Sequence, residues 1–131
     1  MSDYKTLTCA EVSIGDKLPA LDIDITSGLV VAGAIATRDF EPVHHDKSVA
    51  QAAGLPDVFM NILTSQALLT RLPTQWSGPE ALVKTLDILL GDQNITGMVM
   101  TVTGDVTSKD EDQGVVDIAF IGENNIWGMH M

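Results

Sequence analysis

Two side chains suited to acid–base chemistry lie five positions apart in the segment ATRDFEPVHHD, residues 36–46: the carboxylate of Asp39 and the imidazole of His44. Pro42 lies between them. It fixes its own φ, lacks a backbone donor and pushes the preceding residue towards extended geometry, so a defined loop at the end of an apolar strand is predicted rather than a continuing helix. An imidazole titrates near neutrality while a carboxylate stays ionised. The pair could therefore act as general acid and base on one water.

The same spacing also fits a non-catalytic interpretation, in which both side chains lie in a surface loop and are hydrated. The neighbouring His45 is expected to point away from His44, towards solvent or another subunit. A zinc site built from His44, His45 and Asp46 would need distant ligands as well, because adjacent side chains diverge and the chain has one cysteine, Cys9. No metal site is therefore predicted, and Asp46 is expected to cap a helix.

The elements before and after this loop are predicted from apolar periodicity. Alternation in LDIDI, residues 21–25, and the nearly continuous apolar run LVVAGAIAT, residues 29–37, both predict strands. Residues 47–54 are typical of a short helix that ends at Gly54, shortly before a proline. A second helix is predicted to start at a cap on Asp57 and to end near residue 72, before Pro73.

The second half of the chain has three strand-like stretches, at residues 81–91, 96–109 and 114–122, separated by the turn-forming compositions GDQN and KDEDQG. Residues 123–131 resemble a turn followed by the opening of another strand. The long helix is apolar on most of its circumference, so it should be buried on several sides. One helix surrounded by antiparallel strands indicates an α+β fold.

Composition is that of one compact domain spanning residues 1–131, with 45% hydrophobic residues and a mean hydropathy of +0.19. A single cysteine rules out an internal disulfide. The N-terminal residues include acids and contain no continuous apolar run, so neither a signal peptide nor a membrane span is expected, and a cytoplasmic location is predicted.

The net charge limits the classes of partner that the chain can bind. Eighteen acidic against seven basic residues give a formal net charge of −11 and a sequence pI near 4.3, which opposes nucleic-acid binding. The seven cations are scattered at positions 5, 17, 38, 47, 71, 84 and 109. A phosphate-bearing ligand would require several of them to cluster, or a second chain to supply the site.

The segment from Arg38 to Thr64 resembles the hydratase motif of the MaoC-like enoyl-CoA hydratase family, whose core is roughly D-x-N-P-[IL]-H-x-D followed by a helix containing Ala and Gly. The residues at the expected positions are Asp39, Pro42, Val43, His44, Asp46, Ala50 and Gly54. Two positions depart from it: Glu41 replaces the usual Asn, and Asn61 stands where a Gly usually opens the central helix.

Together with DVFMNILT and QWSGPEALVK, the motif is most similar to the small MaoC-like subunit of heteromeric enoyl-CoA hydratases of bacterial steroid side-chain degradation. This resemblance implies a hotdog fold, an antiparallel sheet wrapped around a central helix. It also implies hydration of a trans-2-enoyl-CoA with a bulky, steroid-like acyl group, without any cofactor besides the coenzyme A of the substrate. The implied partner is a second MaoC-like hotdog subunit in a hetero-oligomer, or otherwise a second copy in a homodimer acting on shorter acyl chains.

By the same resemblance Asp39 and His44 form the catalytic dyad. Backbone N–H groups around the start of the central helix would bind the thioester oxygen, where the helix dipole favours negative charge; these are Val58, Phe59, Met60 and Asn61. The side chain of Asn61 is expected to weaken this region by occupying space that Gly leaves free. Two other classes stay open: a hotdog thioesterase, and a noncatalytic subunit that only binds acyl-CoA.

Overall fold

The computed structural model describes residues 4–130. Within this range, one antiparallel sheet has the strand order β1-β2-β3-β4, and the strands are β1 Lys17–Asp24, β2 Val99–Asp110, β3 Val115–Asn124 and β4 Gly128–Met129. The helices are α1 Ser27–Ala36, α2 Lys47–Ala52 and α3 Ile62–Ser77, with 3₁₀ turns at Cys9–Glu11 and Pro42–His44.

The sheet is built around the long hairpin of β2 and β3, whose register runs from Met100 opposite Asn124 to Asp110 opposite Val115. β1 pairs with the other edge of β2. The strand predictions at residues 21–25, 96–109 and 114–122 are therefore confirmed. The turn and short strand expected after residue 122 are confirmed as far as β4, and residue 131 lies outside the described range.

The core lies between this sheet and α3, which contacts β1, β2 and β3. Alternate residues of β2 face it, and Met100 and Val102 are completely buried. From the helix, Leu69 and Leu72 enter the same core. Residues 4–130 include no helix with the length and apolar character required to cross a bilayer.

The strand predicted over residues 29–37 is wrong, because these residues belong to α1. The helix begins where the Thr26 side chain accepts a hydrogen bond from the Leu29 N–H, at 3.0 Å. Its buried face contains Val30 and Ala34, one helical turn apart. Between them, Gly33 lies so close to α3 that an added Cβ would be 2.2 Å from the Thr64 hydroxyl oxygen.

The long helix α3 begins and ends later in the sequence than predicted. Its cap is Asn61, whose side chain accepts from the Thr64 N–H, whereas Asp57 accepts from the adjacent Val58 N–H and pairs with Lys47. Nor does Pro73 end it: the helix continues to Ser77. The last turn of the helix, beyond Pro73, includes Trp76, which packs against the core.

Residues 81–91, predicted as a strand, form neither strand nor helix. At their end, the Gly91 N–H donates to the His130 carbonyl, beside β4. Before that point Leu82 and Leu89 are each 86% exposed. The apolar alternation is present, but within the described residues no neighbouring strand pairs with positions 82–90.

Candidate active site

The end of α1 positions Asp39. Arg38 takes a left-handed φ of 58°, an uncommon conformation for a residue other than Gly, and the Asp39 N–H donates back to the Ala34 carbonyl at 2.8 Å. Asp39 therefore follows a helix directly, and the expectation that it follows a strand is corrected. The tight turn places its carboxylate beside the first residues of α3.

His44 ends the 3₁₀ turn that begins at Pro42, and it is 6% exposed. Its Nδ1 lies 2.7 Å from the carbonyl oxygen of Phe59, and its ring meets the Phe59 ring edge-on at 4.6 Å between centroids. A carbonyl only accepts hydrogen bonds, so Nδ1 must carry the hydrogen. In the neutral imidazole, Nε2 is then an acceptor with a free lone pair.

The structure brings the two predicted dyad members together. His44 Nε2 lies 3.4 Å from Asp39 Oδ2, and the Asp39 side chain is 24% exposed. With neutral His44, two acceptors face each other across this gap. One water molecule that donates a hydrogen to each would satisfy both, which is the arrangement required to activate water.

Hydrogen bonds hold Asp39 as a carboxylate. Asn61 Nδ2 donates to its Oδ2 at 2.9 Å, and the Glu41 N–H donates to its Oδ1 at 3.2 Å. The pKa of Asp39 is lowered below its ordinary value, first by the Asn61 hydrogen bond; partial burial opposes this, and the Glu41 N–H and the charges of His44 and His45 add to it.

Asn61 is itself 1% exposed, and its side chain points in a different direction from the one expected. It points back to Asp39 and to Thr37 Oγ1, the latter at 2.8 Å, while its Oδ1 accepts from Thr64. The residue that was expected to obstruct the ligand instead contacts the dyad. No local sequence signal links positions 39 and 61, since they meet only where α1 packs against α3.

The backbone N–H groups named for the thioester oxygen fall into two sets. The Val58 N–H donates to Asp57, and the Met60 N–H donates to the Asn94 carbonyl as part of an antiparallel bridge between Phe59 and Ile95. The N–H groups of Phe59 and Asn61 have no acceptor among residues 4–130. Both lie before the first turn of α3, where the helix dipole attracts negative charge.

His45 was expected to face solvent or a partner, but its Nε2 lies 2.8 Å from the backbone carbonyl of Asp39. Its ring stacks on Phe40. His44 and His45 thus each contact a different main-chain carbonyl, and the described residues contain no group of three or more His, Cys, Asp or Glu side chains arranged to hold a metal. Asp46 caps α2 by accepting from the Ser48 N–H, as predicted.

Comparison with known proteins decides the family. No family model matches the chain. It is 37% identical over 113 residues to the 3-oxo-4,17-pregnadiene-20-carboxyl-CoA hydratase beta subunit of Mycobacterium tuberculosis (strain ATCC 25618 / H37Rv), covering 86% of each chain. The chain belongs to the MaoC-like CoA hydratase family. The prediction of an enzyme of this family is thereby confirmed.

Solved structures confirm the hotdog fold of this MaoC-like hydratase. A chain in the crystal structure of the ChsH1-ChsH2 complex from Mycobacterium tuberculosis superposes with a TM-score of 0.86 at 37% identity, with 91% of each chain covered. The unliganded R-hydratase PhaJ1 from Pseudomonas aeruginosa has a TM-score of 0.80 at 22% identity, covering 95% of this chain and 80% of the other; at that identity it supports the fold alone.

One cleft of the MaoC-like hydratase lies away from the dyad. It measures about 580 Å³ and lies between residues 80–87, residues 6–9 and the outer part of β3. No histidine lines it. It exists because residues 82–90 run beside the core without pairing to β3. One wall of the cleft therefore belongs to the same segment that exposes Leu82 and Leu89.

Proposed function

We propose that this chain is the dyad-bearing subunit of a two-chain hydratase, which adds water to a trans-2-enoyl-CoA with a bulky, steroid-like acyl group. The observation that carries the proposal is the approach of His44 Nε2 and Asp39 Oδ2 to 3.4 Å, beside the start of α3. There, two backbone N–H groups have no acceptor among residues 4–130. These are the parts that hydration requires: a base for water and donors for the thioester oxygen.

In the proposed reaction, a water held between the two acceptors gives one proton to His44 Nε2 while its oxygen bonds to C3. The electron pair of the C2–C3 double bond moves towards the thioester carbonyl, whose oxygen becomes an oxyanion. The Phe59 and Asn61 N–H groups donate to that oxygen. As the enolate collapses, the imidazolium returns its proton to C2, so that one water has been added and His44 is neutral again.

The choice of His44 as the proton carrier follows from the surroundings of Asp39. Its carboxylate accepts hydrogen bonds from Asn61 and from the Glu41 N–H, which favour the ionised form. An ionised Asp39 beside Nε2 stabilises the transient imidazolium, and it also orients the water. Reversing the roles would require protonation of the group that its neighbours keep charged.

The steroid-like acyl group and the second chain are inferred from the 37% identity to the beta subunit of the pregnadiene-carboxyl-CoA hydratase and to a chain of the ChsH1-ChsH2 complex. The charges of this chain support a partner. Four of its seven cations pair with carboxylates: Lys5, Lys17, Lys47 and Lys109. Within residues 4–130 few cations are left for the coenzyme A phosphates, so a second subunit would supply part of their site.

The test is a product assay on the chain purified with its natural partner. Asp39→Asn and His44→Ala should each lower kcat about 100-fold or more, because acid–base groups contribute about that much, and the double variant should be little worse than either. Asp22→Asn, which alters an exposed carboxylate on β1, is the control and should keep the wild-type rate.

Mass spectrometry of the product separates this proposal from the two open alternatives. A gain of one water supports hydration. Release of coenzyme A would instead identify a thioesterase, and unchanged substrate that stays bound would identify a binding subunit. Near-normal turnover in both single variants would remove the dyad from the mechanism.

A further inference from the structure

We propose that Asn61 is the positioning residue of the dyad: its side-chain amide fixes Asp39 Oδ2 in the orientation that faces His44 Nε2. The catalytic consequence rests on the hydratase function proposed above, whereas the contact itself rests on geometry. Asn61 is 1% exposed, and its Nδ2 lies 2.9 Å from Oδ2. Asn61 thus donates a side-chain hydrogen bond to the Asp39 carboxylate from outside the loop of residues 39–45.

The orientation of the amide is set by its other neighbours. Asn61 Oδ1 lies 3.1 Å from the backbone nitrogen of Thr64, and a backbone N–H can only donate. Oδ1 must therefore face Thr64, which leaves Nδ2 facing Asp39. A flipped amide would place two donors together at Thr64 and two acceptors together at Asp39.

Every polar position of the amide is then occupied. Its second Nδ2 hydrogen goes to Thr37 Oγ1 at 2.8 Å, and the Thr37 hydroxyl passes its own hydrogen to the Gly33 carbonyl at 2.8 Å. The amide thus ties the last turn of α1 to the first turn of α3. A fully satisfied buried amide has one stable orientation, because any rotation would leave a polar atom without a partner.

This arrangement gives Asn61 an electrostatic role as well as a geometric one. Only an acceptor can face Nδ2, so the contact stabilises the carboxylate form of Asp39 over the protonated form. The amide does not titrate, and the titratable groups that act on Asp39 are His44 and His45, both from the following turn. Losing the amide donor should therefore raise the pKa of Asp39 and move the acidic limb of activity to higher pH.

Two substitutions separate this role from helix capping. Asn61→Asp keeps the shape and an acceptor for the Thr64 N–H, but it replaces the donor with a second carboxylate about 2.9 Å from Asp39. Asn61→Ser also keeps a capping oxygen and is too short to reach Asp39. In the complex with its partner, kcat should fall about tenfold or more for Asn61→Asp and less for Asn61→Ser, with KM changed less than about threefold.

The pH profile is the readout that a purely structural role would leave in place. The acidic limb of kcat should move upward by about one unit or more in Asn61→Asp, because two adjacent carboxylates cannot both ionise freely. Thr26→Ala removes the cap of α1 at its far end, and it serves as the matched control: it should lower the melting temperature without moving the limb.

A second measurement stands apart from turnover. Titration of the Asp39 carboxyl carbon by ¹³C NMR in the labelled complex, assigned by comparison with Asp39→Asn, should show a higher pKa in both Asn61 variants than in the wild type. An inactive wild-type complex would overturn the hydratase proposal while this titration still tests the contact. An active complex whose Asn61 variants keep the wild-type kcat, limb and Asp39 titration would overturn the role of Asn61 alone.

Discussion

At the scale of single residues, the site is built by fixing side chains to main-chain carbonyls. His44 is held by the Phe59 carbonyl, and its ring orientation decides which nitrogen faces Asp39. His45 in turn holds the backbone of Asp39, since its Nε2 contacts the Asp39 carbonyl. Two adjacent histidines thus differ in their contacts: in the proposed mechanism His44 presents a lone pair to the water, whereas His45 anchors the loop.

This division predicts the effect of His45→Ala. The Asp39 loop would lose one hydrogen bond. It would keep the bond from the Asp39 N–H to the Ala34 carbonyl and the bonds that the carboxylate accepts from Glu41 and Asn61. Turnover should therefore fall by less than about tenfold, a barrier change under about 1.4 kcal/mol. Steady-state kinetics on the complex measures this. His45→Gln retains an N–H donor and should lose even less. A loss equal to that of His44→Ala would show that the two imidazoles had been assigned the wrong way round.

Sequence reasoning reached part of this site. The convergence of Asp39 and His44 was predicted from their spacing and from Pro42, because a short turn leaves both side chains little choice of direction. The sequence identifies Asn61 as a backbone donor and as a departure from the motif, but it does not predict a side-chain contact with Asp39. Its contact with Asp39 spans 22 residues and depends on how two helices cross, which no local pattern reports.

At the scale of elements, the main error concerns α1. Residues 29–37 lack a polar face, and that made an apolar strand the natural prediction. Two local signals pointed to a helix: Thr26 as a cap, and the small or apolar series Val30, Gly33, Ala34 and Thr37 at helical spacing. The strand prediction for residues 82–90 is wrong for a different reason. Their pattern is strand-like, but no partner strand lies beside them within the described chain.

The crossing of α1 and α3 yields a prediction at this scale. Gly33→Ala should lower the free energy of unfolding by about 1–3 kcal/mol, because the new Cβ would lie 2.2 Å from Thr64 Oγ1 and the helices would have to separate. Gly28→Ala, in the same helix with 3.8 Å to its nearest neighbour, is the matched control and should be neutral or stabilising. Chemical denaturation measures both. Equal stability of the two variants would contradict the tight crossing.

Asp39 follows the end of α1 and Asn61 caps α3, so the same crossing sets how these two side chains meet. Gly33 lies one helical turn before Thr37, which is part of the hydrogen-bond chain that includes Asn61. Helix packing and acid–base chemistry are thus coupled through a few small and polar residues. This explains why a buried contact is occupied by Gly and Thr, where a larger apolar pair would fill space but would hold the helices apart.

At the scale of the whole molecule, apolar exposure and charge both point to assembly. Leu82 and Leu89 are each 86% exposed on an unpaired segment, and Met129 on the nearby β4 is 60% exposed. Contiguous exposed apolar patches commonly mark a contact with another chain, and we expect these side chains to contribute to one. The net charge of −11 leaves the chain poorly suited to bind nucleotide phosphates alone.

We therefore expect an obligate oligomer whose coenzyme A site lies between subunits, formed with a second MaoC-like chain. Light scattering and hydratase activity should be measured with and without that chain. Only the complex should be fully active on a steroid-like enoyl-CoA. Leu89→Lys should weaken assembly, whereas Ile14→Lys, at an exposed position on a different turn, should not. A monodisperse, fully active monomer would eliminate the shared site. A fully active homodimer would keep the hydratase assignment but eliminate the two-chain enzyme.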